Sequence, residues 1–271
     1  MRCSASELLG SIALVWLLTG PADAADDLAS RLNPEIRAVV DSAETVASRA
    51  REAAQRARQA AAGAAAAATA AAEAVRAAQS PAGGVIRDFS NGDHYEGQIE
   101  DERPHGAGRV RYARGLVYSG LFEGGVPNGF GVMELPSGER YDGEIGNGEP
   151  KGLGVMQFAN GERYQGQVQA GRVNGVGIYV FGDGELYAGE FRDAKPEGVG
   201  VWTFANGQRY EGELRSGDRE GLGVFSFPSG DRYIGQYRGE ERHGLGALVH
   251  ADGRIEQGIF ESGRLAKPMG P

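Results

Sequence analysis

The sequence predicts a mainly β protein: an elongated single-sheet array of stacked β-hairpins, preceded by a long alanine-rich α-helix. Three observations predict this. A Tyr-x-Gly motif recurs seven times at intervals of 23 residues, and a Gly-x-Gly pair follows it in constant register. Ahead of these repeats, residues 27–79 are dominated by alanine and contain one glycine, Gly63. Repeats of fixed period indicate a stacked array, because one short unit cannot bury its own apolar face.

The Tyr-x-Gly motif predicts a steric role for its glycine. A glycine inside a strand usually marks the close approach of another group, so we expect each tyrosine ring to lie flat over glycine backbone. The tyrosines are Tyr95, Tyr118, Tyr141, Tyr164, Tyr187, Tyr210 and Tyr233. The structural glycines are Gly97, Gly120, Gly143, Gly166, Gly189, Gly212 and Gly235.

Each unit is predicted to be one hairpin. Asn-Gly pairs, as at residues 160–161, favour a two-residue turn before the Tyr-x-Gly strand. A looser loop, often containing proline as at Pro127 and Pro150, is expected before the return strand. The return strand, "GLGVMQF" at residues 152–158, is apolar on both faces. Its second face must therefore be covered by the helix, by another copy or by a partner.

The order of these motifs resembles the MORN repeat. Tyr-x-Gly is followed by Gly-x-Gly with alternating apolar residues and then by Asn-Gly, at a 23-residue period. The resemblance covers residues 83–263 and implies an elongated single sheet of successive hairpins. We place the array at residues 81–265, as seven full units with degenerate caps, and a tail at residues 266–271. At the last unit Glu256 replaces the tyrosine, whereas Gly258 stays in register.

Residues 25–80 are predicted to form the alanine-rich helix. Apolar residues at steps of three and four form a heptad seam. They are Ile36, Val39, Ala43, Val46, Ala50, Ala53, Ala57 and Ala60. A helix of about 45 residues would be roughly 68 Å long, and eight hairpins would span roughly 77 Å. We therefore expect residues 35–79 to pack along the array's own sheet or along the sheet of a partner copy, through a coiled-coil-like seam. The alternative is that the helix is an exposed spacer.

The first 24 residues have the pattern of a signal peptide. Arg2 precedes the apolar stretch 8–20, and Ala22-Asp23-Ala24 offers a cleavage site. The sequence therefore predicts export to the periplasm or beyond, with an uncleaved membrane anchor as the alternative. Cleavage after Ala24 would remove the one cysteine, Cys3, and would leave neither a disulfide nor a thiol nucleophile.

The charge of the chain bears on its partners. The formal net charge is -9, and residues 81–271 carry 28 acidic and 20 basic side chains. This balance excludes nucleic acid as an expected partner and disfavours anionic phospholipid. Arginines precede four of the tyrosines, at Arg140, Arg163, Arg209 and Arg232. We interpret them as a row of surface charge pairs; the alternative is a basic stripe for phosphate.

The sequence predicts no catalytic residue, no cofactor site and no metal site. His94 and His105 could approach each other, but no third ligand is near them in the pattern. The Gly-x-Gly pairs follow strand geometry and open no helix, so they do not resemble nucleotide loops. We therefore predict that the protein is not an enzyme; a hydrolase using the carboxylates of the array is the remaining enzymatic alternative.

The leading functional hypothesis is a non-enzymatic scaffold of the cell envelope that binds a protein partner or self-associates as a homodimer. The candidate binding groove combines the seven tyrosines with Phe158, Phe181, Trp202, Phe204 and Phe227. The MORN resemblance implies scaffolding, or lipid binding as proposed for some members. The alternative is an envelope-binding module for phospholipid or cell-wall glycan; since Trp202 is the one tryptophan in the array, glycan is the weaker choice.

Overall fold

The computed structural model describes residues 28–81 and 83–271. The predicted signal peptide, residues 1–24, lies outside this part of the chain. No helix among the described residues is long and apolar enough to cross a membrane.

Seventeen strands of the described chain form one open antiparallel sheet. Each strand pairs with the next strand along the chain. This confirms the predicted fold class. The strands are β1 (Val85–Asp88), β2 (His94–Glu100), β3 (Arg103–Arg111), β4 (Val117–Glu123), β5 (Val126–Glu134), β6 (Arg140–Gly146), β7 (Glu149–Gln157), β8 (Arg163–Gln169), β9 (Arg172–Val180), β10 (Leu186–Arg192), β11 (Lys195–Thr203), β12 (Arg209–Arg215), β13 (Asp218–Ser226), β14 (Arg232–Arg238), β15 (Glu241–Val249), β16 (Ile255–Glu261) and β17 (Arg264–Pro268).

A row of glycines crosses the sheet from Gly97 in β2 to Gly258 in β16. Each glycine of the row faces the glycine of the neighbouring strand, as Gly166 faces both Gly154 and Gly177. A β-carbon on Gly177 would lie 2.5 Å from Cζ of Tyr164. The tyrosine rings therefore lie directly over this row, where only hydrogen fits.

The two ends of each hairpin differ from the prediction. The tight two-residue turn joins β8 to β9 at Ala170-Gly171, where both φ angles are positive, +48° and +72°, as in a type I′ turn. The Asn-Gly end is wider. Gly161 donates to the carbonyl of Phe158, and the amide of Phe158 donates to the carbonyl of Glu162. Asn-Gly also suits such a wider turn, since its glycine takes the left-handed conformation that closes it, with φ +87°.

The prolines lie in strands and not in the expected loose loops. Pro127 and Pro150 are the second residues of β5 and β7. Their carbonyls accept hydrogen bonds from Gly148 and Gly171, which lie in the tight turns of the following hairpins. The prolines thus occupy the positions where successive hairpins are tied together.

The helix α1 (Pro34–Gln79) begins after Asn33, whose side chain accepts a hydrogen bond from the amide of Glu35. It lies along the array's own sheet, in contact with strands from β3 to β15. At 46 residues it is about 69 Å long.

The buried stripe of α1 is wider than the predicted seam. Val39 and Ala60 are half-exposed, whereas their neighbours Val40 and Ala61 are buried. The seam prediction was therefore wrong at these two positions. A sheet presents a broad surface, so it buries a stripe of more than two heptad positions, in contrast to the narrow contact of a second helix.

The helix covers the sheet face opposite the tyrosines. Near the start of α1, Val40 and Ala43 pack with Val224 and Ile234. Further along, Ala57 belongs to a cluster with Val199 and Val201. The helix therefore covers the second apolar face of the return strands, as the sequence predicts. It leaves the tyrosine side of the sheet uncovered.

Ion pairs tie the N-terminal half of α1 to the sheet. Arg51 and Arg56 contact Glu211 and Glu190, each at 3.0 Å. Just before the helix, the amide of Asn33 donates to Gln257 at 2.8 Å. The beginning of α1 thus lies over the C-terminal strands of the array, and its alanine-rich second half lies over the earlier ones.

Candidate functional site

The seven repeat tyrosines are core residues. Their exposed fractions are 0–2%, and each hydroxyl donates to the carbonyl three residues further on, as Tyr164 does to Gln167 at 2.8 Å. This corrects the expectation that they line an open groove. A tyrosine can lie at a surface or in a core. Here the rings pack on the backbone of the glycine row, and this packing buries them.

A second apolar position, which the sequence analysis missed, seals the tyrosines. Phe191 stands edge-on between Tyr164 and Tyr187, with ring centroids 5.3 and 5.0 Å away. Its signal in the sequence is an apolar residue four positions after each tyrosine. The members of this set are Ile99, Phe122, Ile145, Val168, Phe191, Leu214 and Tyr237, with Phe260 at the same register of the last unit.

This burial predicts unusual alkaline behaviour. Burial raises the pKa of Tyr95 to about 12, and desolvation also raises the pKa of the other nine tyrosines. Because the folded state keeps them protonated, this stability is present below about pH 10 and is lost as the pH rises towards the folded pKa values. We expect tyrosinate absorbance to appear together with unfolding. A separate titration of several tyrosines near pH 10 in the folded protein would contradict this.

The repeated Gln or Glu after the Tyr-x-Gly motif caps a bulge. In each hairpin the register shifts beside the first glycine of the Gly-x-Gly pair, as at Gly175, whose φ is +94°. The side chain of Gln167 reaches across and accepts from the amide of Val176 at 2.9 Å. The same bond is made by Gln98, Glu144, Glu190, Glu213 and Gln236. These carboxylates and amides are therefore structural; in the second unit Leu121 stands at this position.

We expect Gln167→Leu to lower the free energy of unfolding by about 1 kcal/mol, because the amide of Val176 loses its acceptor. Gln169→Leu is the matched control, since Gln169 is an exposed residue of the same strand. Chemical denaturation of both variants measures the difference. Equal midpoints would show that the bulge needs no cap.

The uncovered face carries an aromatic ladder, which we define as Phe158, Tyr179, Phe181, Trp202, Phe204, Phe225 and Phe227. Each ring contacts the next, with centroids 4.6–6.0 Å apart. Phe181 and Trp202 are stacked within 11° of parallel. Six of these side chains are half-buried, and Phe225 is buried. The ladder contains the five non-tyrosine residues of the predicted groove and adds Tyr179 and Phe225.

Carboxylates line one margin of the ladder. Glu162 accepts a hydrogen bond from the hydroxyl of Tyr179 at 2.5 Å, and Glu185 accepts from the indole of Trp202 at 2.7 Å. The bond from Tyr179 holds the pKa of Glu162 below its usual range. Glu139 and Asp231 occupy the same repeat position and are also half-buried. The ladder is therefore an apolar strip with an acidic margin, except at Phe204 and Phe225, where the guanidinium of Arg219 lies 6.0 and 5.2 Å from the ring centroids.

The four arginines lie on the strands beside α1. Arg140 bonds Asp142, Arg209 bonds Glu211 and Arg232 bonds Glu44 of the helix. The charge pairs thus form with the residue two positions on, with α1 or, for Arg140, also with Glu134 of the neighbouring strand. Arg163 differs from Arg140 and Arg209, because the residue two positions on is the neutral Gln165.

His94 and His105 are half-buried and lie beside carboxylates. His94 lies 2.6 Å from Asp88 and 3.0 Å from Glu96, and these hydrogen bonds, that of Asp88 first, raise its pKa. His105 contacts Glu100 at 3.2 Å. Within the described residues, no group of three or more potential ligands could hold a metal ion.

Comparison with known proteins identifies the repeats. No curated protein matches the chain. One solved structure, a catalytically inactive virginiamycin B lyase from Staphylococcus aureus with quinupristin, is 13% identical to this chain. The match covers 64% of this chain and 68% of that structure, with a TM-score of 0.16. The MORN repeat matches six consecutive stretches, at residues 118–140, 141–163, 164–185, 187–209, 210–232 and 233–253. The chain is therefore a member of the MORN-repeat family.

Proposed function

We propose that this protein is a non-enzymatic scaffold of the cell envelope whose aromatic ladder binds a protein partner. MORN repeats generally serve as protein- or lipid-interaction modules. The observation that carries the proposal is the ladder itself: contiguous, half-buried rings on the face that α1 leaves free. Aromatic side chains are the residues that most often dominate binding energy at protein interfaces.

The margin of the ladder favours one kind of partner. Glu139, Glu162, Glu185 and Asp231 place carboxylates along the strip, and the array carries more acidic than basic side chains. A segment with apolar residues and lysine or arginine would complement both features. An anionic membrane surface would be repelled.

The envelope location rests on the first 24 residues, as residues 8–20 are apolar and Ala22-Asp23-Ala24 offers a cleavage site. We propose cleavage after Ala24 and export to the periplasm or beyond. Mass spectrometry of the protein purified from its native host tests this: a chain that begins at Ala25 is expected, and a chain that keeps residues 1–24 would indicate an anchor.

Selection from a random peptide library on the purified protein tests the ladder. We expect enrichment of peptides that combine apolar and basic residues. Phe181→Ser should weaken their binding at least about tenfold, because it removes a ring at the centre of the strip. Val180→Ser is the matched control. Val180 is adjacent in the chain and exposed, and it pairs with Arg163 and Leu186 on the side of the sheet that α1 covers, away from the ladder.

Three outcomes would overturn the proposal. Peptide binding that Phe181→Ser leaves unchanged would place the partner elsewhere. Binding to phosphatidylglycerol vesicles or to cell-wall sacculi with no peptide binding would favour the envelope-binding alternative. Concentration-dependent dimerisation that Phe181→Ser abolishes would make a second copy the occupant of the ladder.

A further inference from the structure

Arg163 lacks a partner that its sister arginines have. Arg140, one unit earlier, lies between two carboxylates: Asp142 bonds its Nε and Nη2 atoms at 2.8 and 2.6 Å, and Glu134 of the neighbouring strand bonds Nη1 at 2.7 Å. Arg209 bonds Glu211 in the same way through Nε and Nη2, at 2.9 and 2.6 Å. The array therefore contains its own template for a carboxylate bound at this repeat position.

At Arg163 both carboxylates are replaced by neutral amides. Gln165 stands where Arg140 has Asp142, and Gln157 stands where it has Glu134. Gln165 is only 8% exposed. Among the described residues, the Nε atom of Arg163 is the one buried side-chain nitrogen or oxygen without a hydrogen-bond partner. A buried donor on a charged group is costly to leave unbonded, so the position favours an acceptor from outside the chain.

The position is open to a ligand from one side. The neighbours of Arg163 in the adjacent strands are Gln157 and Val180. Both are exposed, Val180 by 38%. Arg163 is itself half-buried, so a small acceptor can reach its guanidinium from this edge once the exposed side chain of Gln157 moves aside. The amide of Gln165 can then donate a further hydrogen bond to it.

We infer that Arg163, with Gln157 and Gln165, binds a carboxylate group. Two planar oxygens match the Nε and Nη2 atoms of arginine in the bidentate arrangement that Asp142 and Glu211 show. The carboxylate could belong to a free dicarboxylic acid or to an acidic side chain of a peptide, and the two sources are separated by the choice of probe.

Nuclear magnetic resonance of the arginine Nε–H groups in the full chain tests the inference. Succinate and a short polyglutamate peptide, at constant ionic strength, are the probes. We expect a saturable shift of the Arg163 signal and no shift of the Arg209 signal, because Glu211 already occupies that guanidinium. Saturation by succinate would identify a small-molecule site, and saturation by the peptide alone a site for a protein's acidic residue.

Gln165→Glu is the decisive variant, because it recreates the Arg-Tyr-Glu-Gly sequence already present at residues 209–212. The new carboxylate should bond Arg163 and weaken probe binding at least about tenfold. Gln157→Glu, which recreates the position of Glu134, provides a second and more exposed variant should the first fail to fold. Equal binding in the wild type and in a folded variant, or no saturable shift in the wild type, would overturn the inference.

Discussion

Gly200→Ala is expected to lower the free energy of unfolding by about 3 kcal/mol, at the upper end of the cost of one added methyl group in a packed core. A β-carbon on Gly200 would lie 2.5 Å from both Cε2 and Cζ of Tyr187. That ring has no exposed surface. Phe191 and Trp202 bound it, with centroids 5.0 and 5.5 Å away, so it has no free space into which to move.

The substitution should act through the whole row. Gly200 faces Gly189 and Gly212 in the adjacent strands, and displacing the ring of Tyr187 would also break its hydroxyl bond to the carbonyl of Glu190. Because each hairpin of an array contacts only its neighbours, we expect the loss of amide protection to be greatest in β10–β12. Denaturant unfolding and hydrogen exchange measure the two effects.

Gly182→Ala is the matched control. A β-carbon there would meet only Cγ of Glu162, at 4.0 Å, and Ala159 and Ala205 occupy the same turn position in sister units. We expect a change within about 0.5 kcal/mol. Equal effects of the two substitutions would mean that the glycine row is not the packing constraint that the structure indicates.

The period of the motifs made the sheet predictable. A spacing of 23 residues without insertions allows one hairpin per unit and the same register in every unit, so the strand pairing of one unit recurs in the others. The apolar second face of the return strands likewise predicted a cover, since an exposed strand would alternate. Both inferences depend on patterns that many residues share.

The turns and the direction of the aromatic face depend on local geometry and could not be predicted. Ala170 takes a positive φ, which alanine rarely adopts, because the tight turn must match the twist of its strands. The bulge beside Gly175 then shifts the register, and this shift lets Phe191 cover Tyr164. The periodicity could not show whether a tyrosine row faces a ligand or a neighbouring hairpin.

Ala57→Arg is expected to release the middle of α1 from the sheet and to lower the free energy of unfolding by at least about 3 kcal/mol. Ala57 has no exposed surface and packs in one cluster with Val199 and Val201. A guanidinium there would be buried without a partner, which is among the most costly single changes in a core. The helix must then move away or tilt, and either response exposes the apolar sheet face.

Ala65→Arg separates this effect from helix propensity, because Ala65 lies in the same helix but is exposed. It should leave the free energy of unfolding within about 0.5 kcal/mol of the wild type. Hydrogen exchange then shows which strands depend on α1: faster exchange confined to β10–β13 would indicate local lifting. A larger mass by light scattering would show that the sheet face released by α1 self-associates, as exposed apolar sheet surface does. If Ala57→Arg and Ala65→Arg behave alike, α1 is not required to cover the sheet, and the array is stabilised by its glycine and tyrosine rows alone.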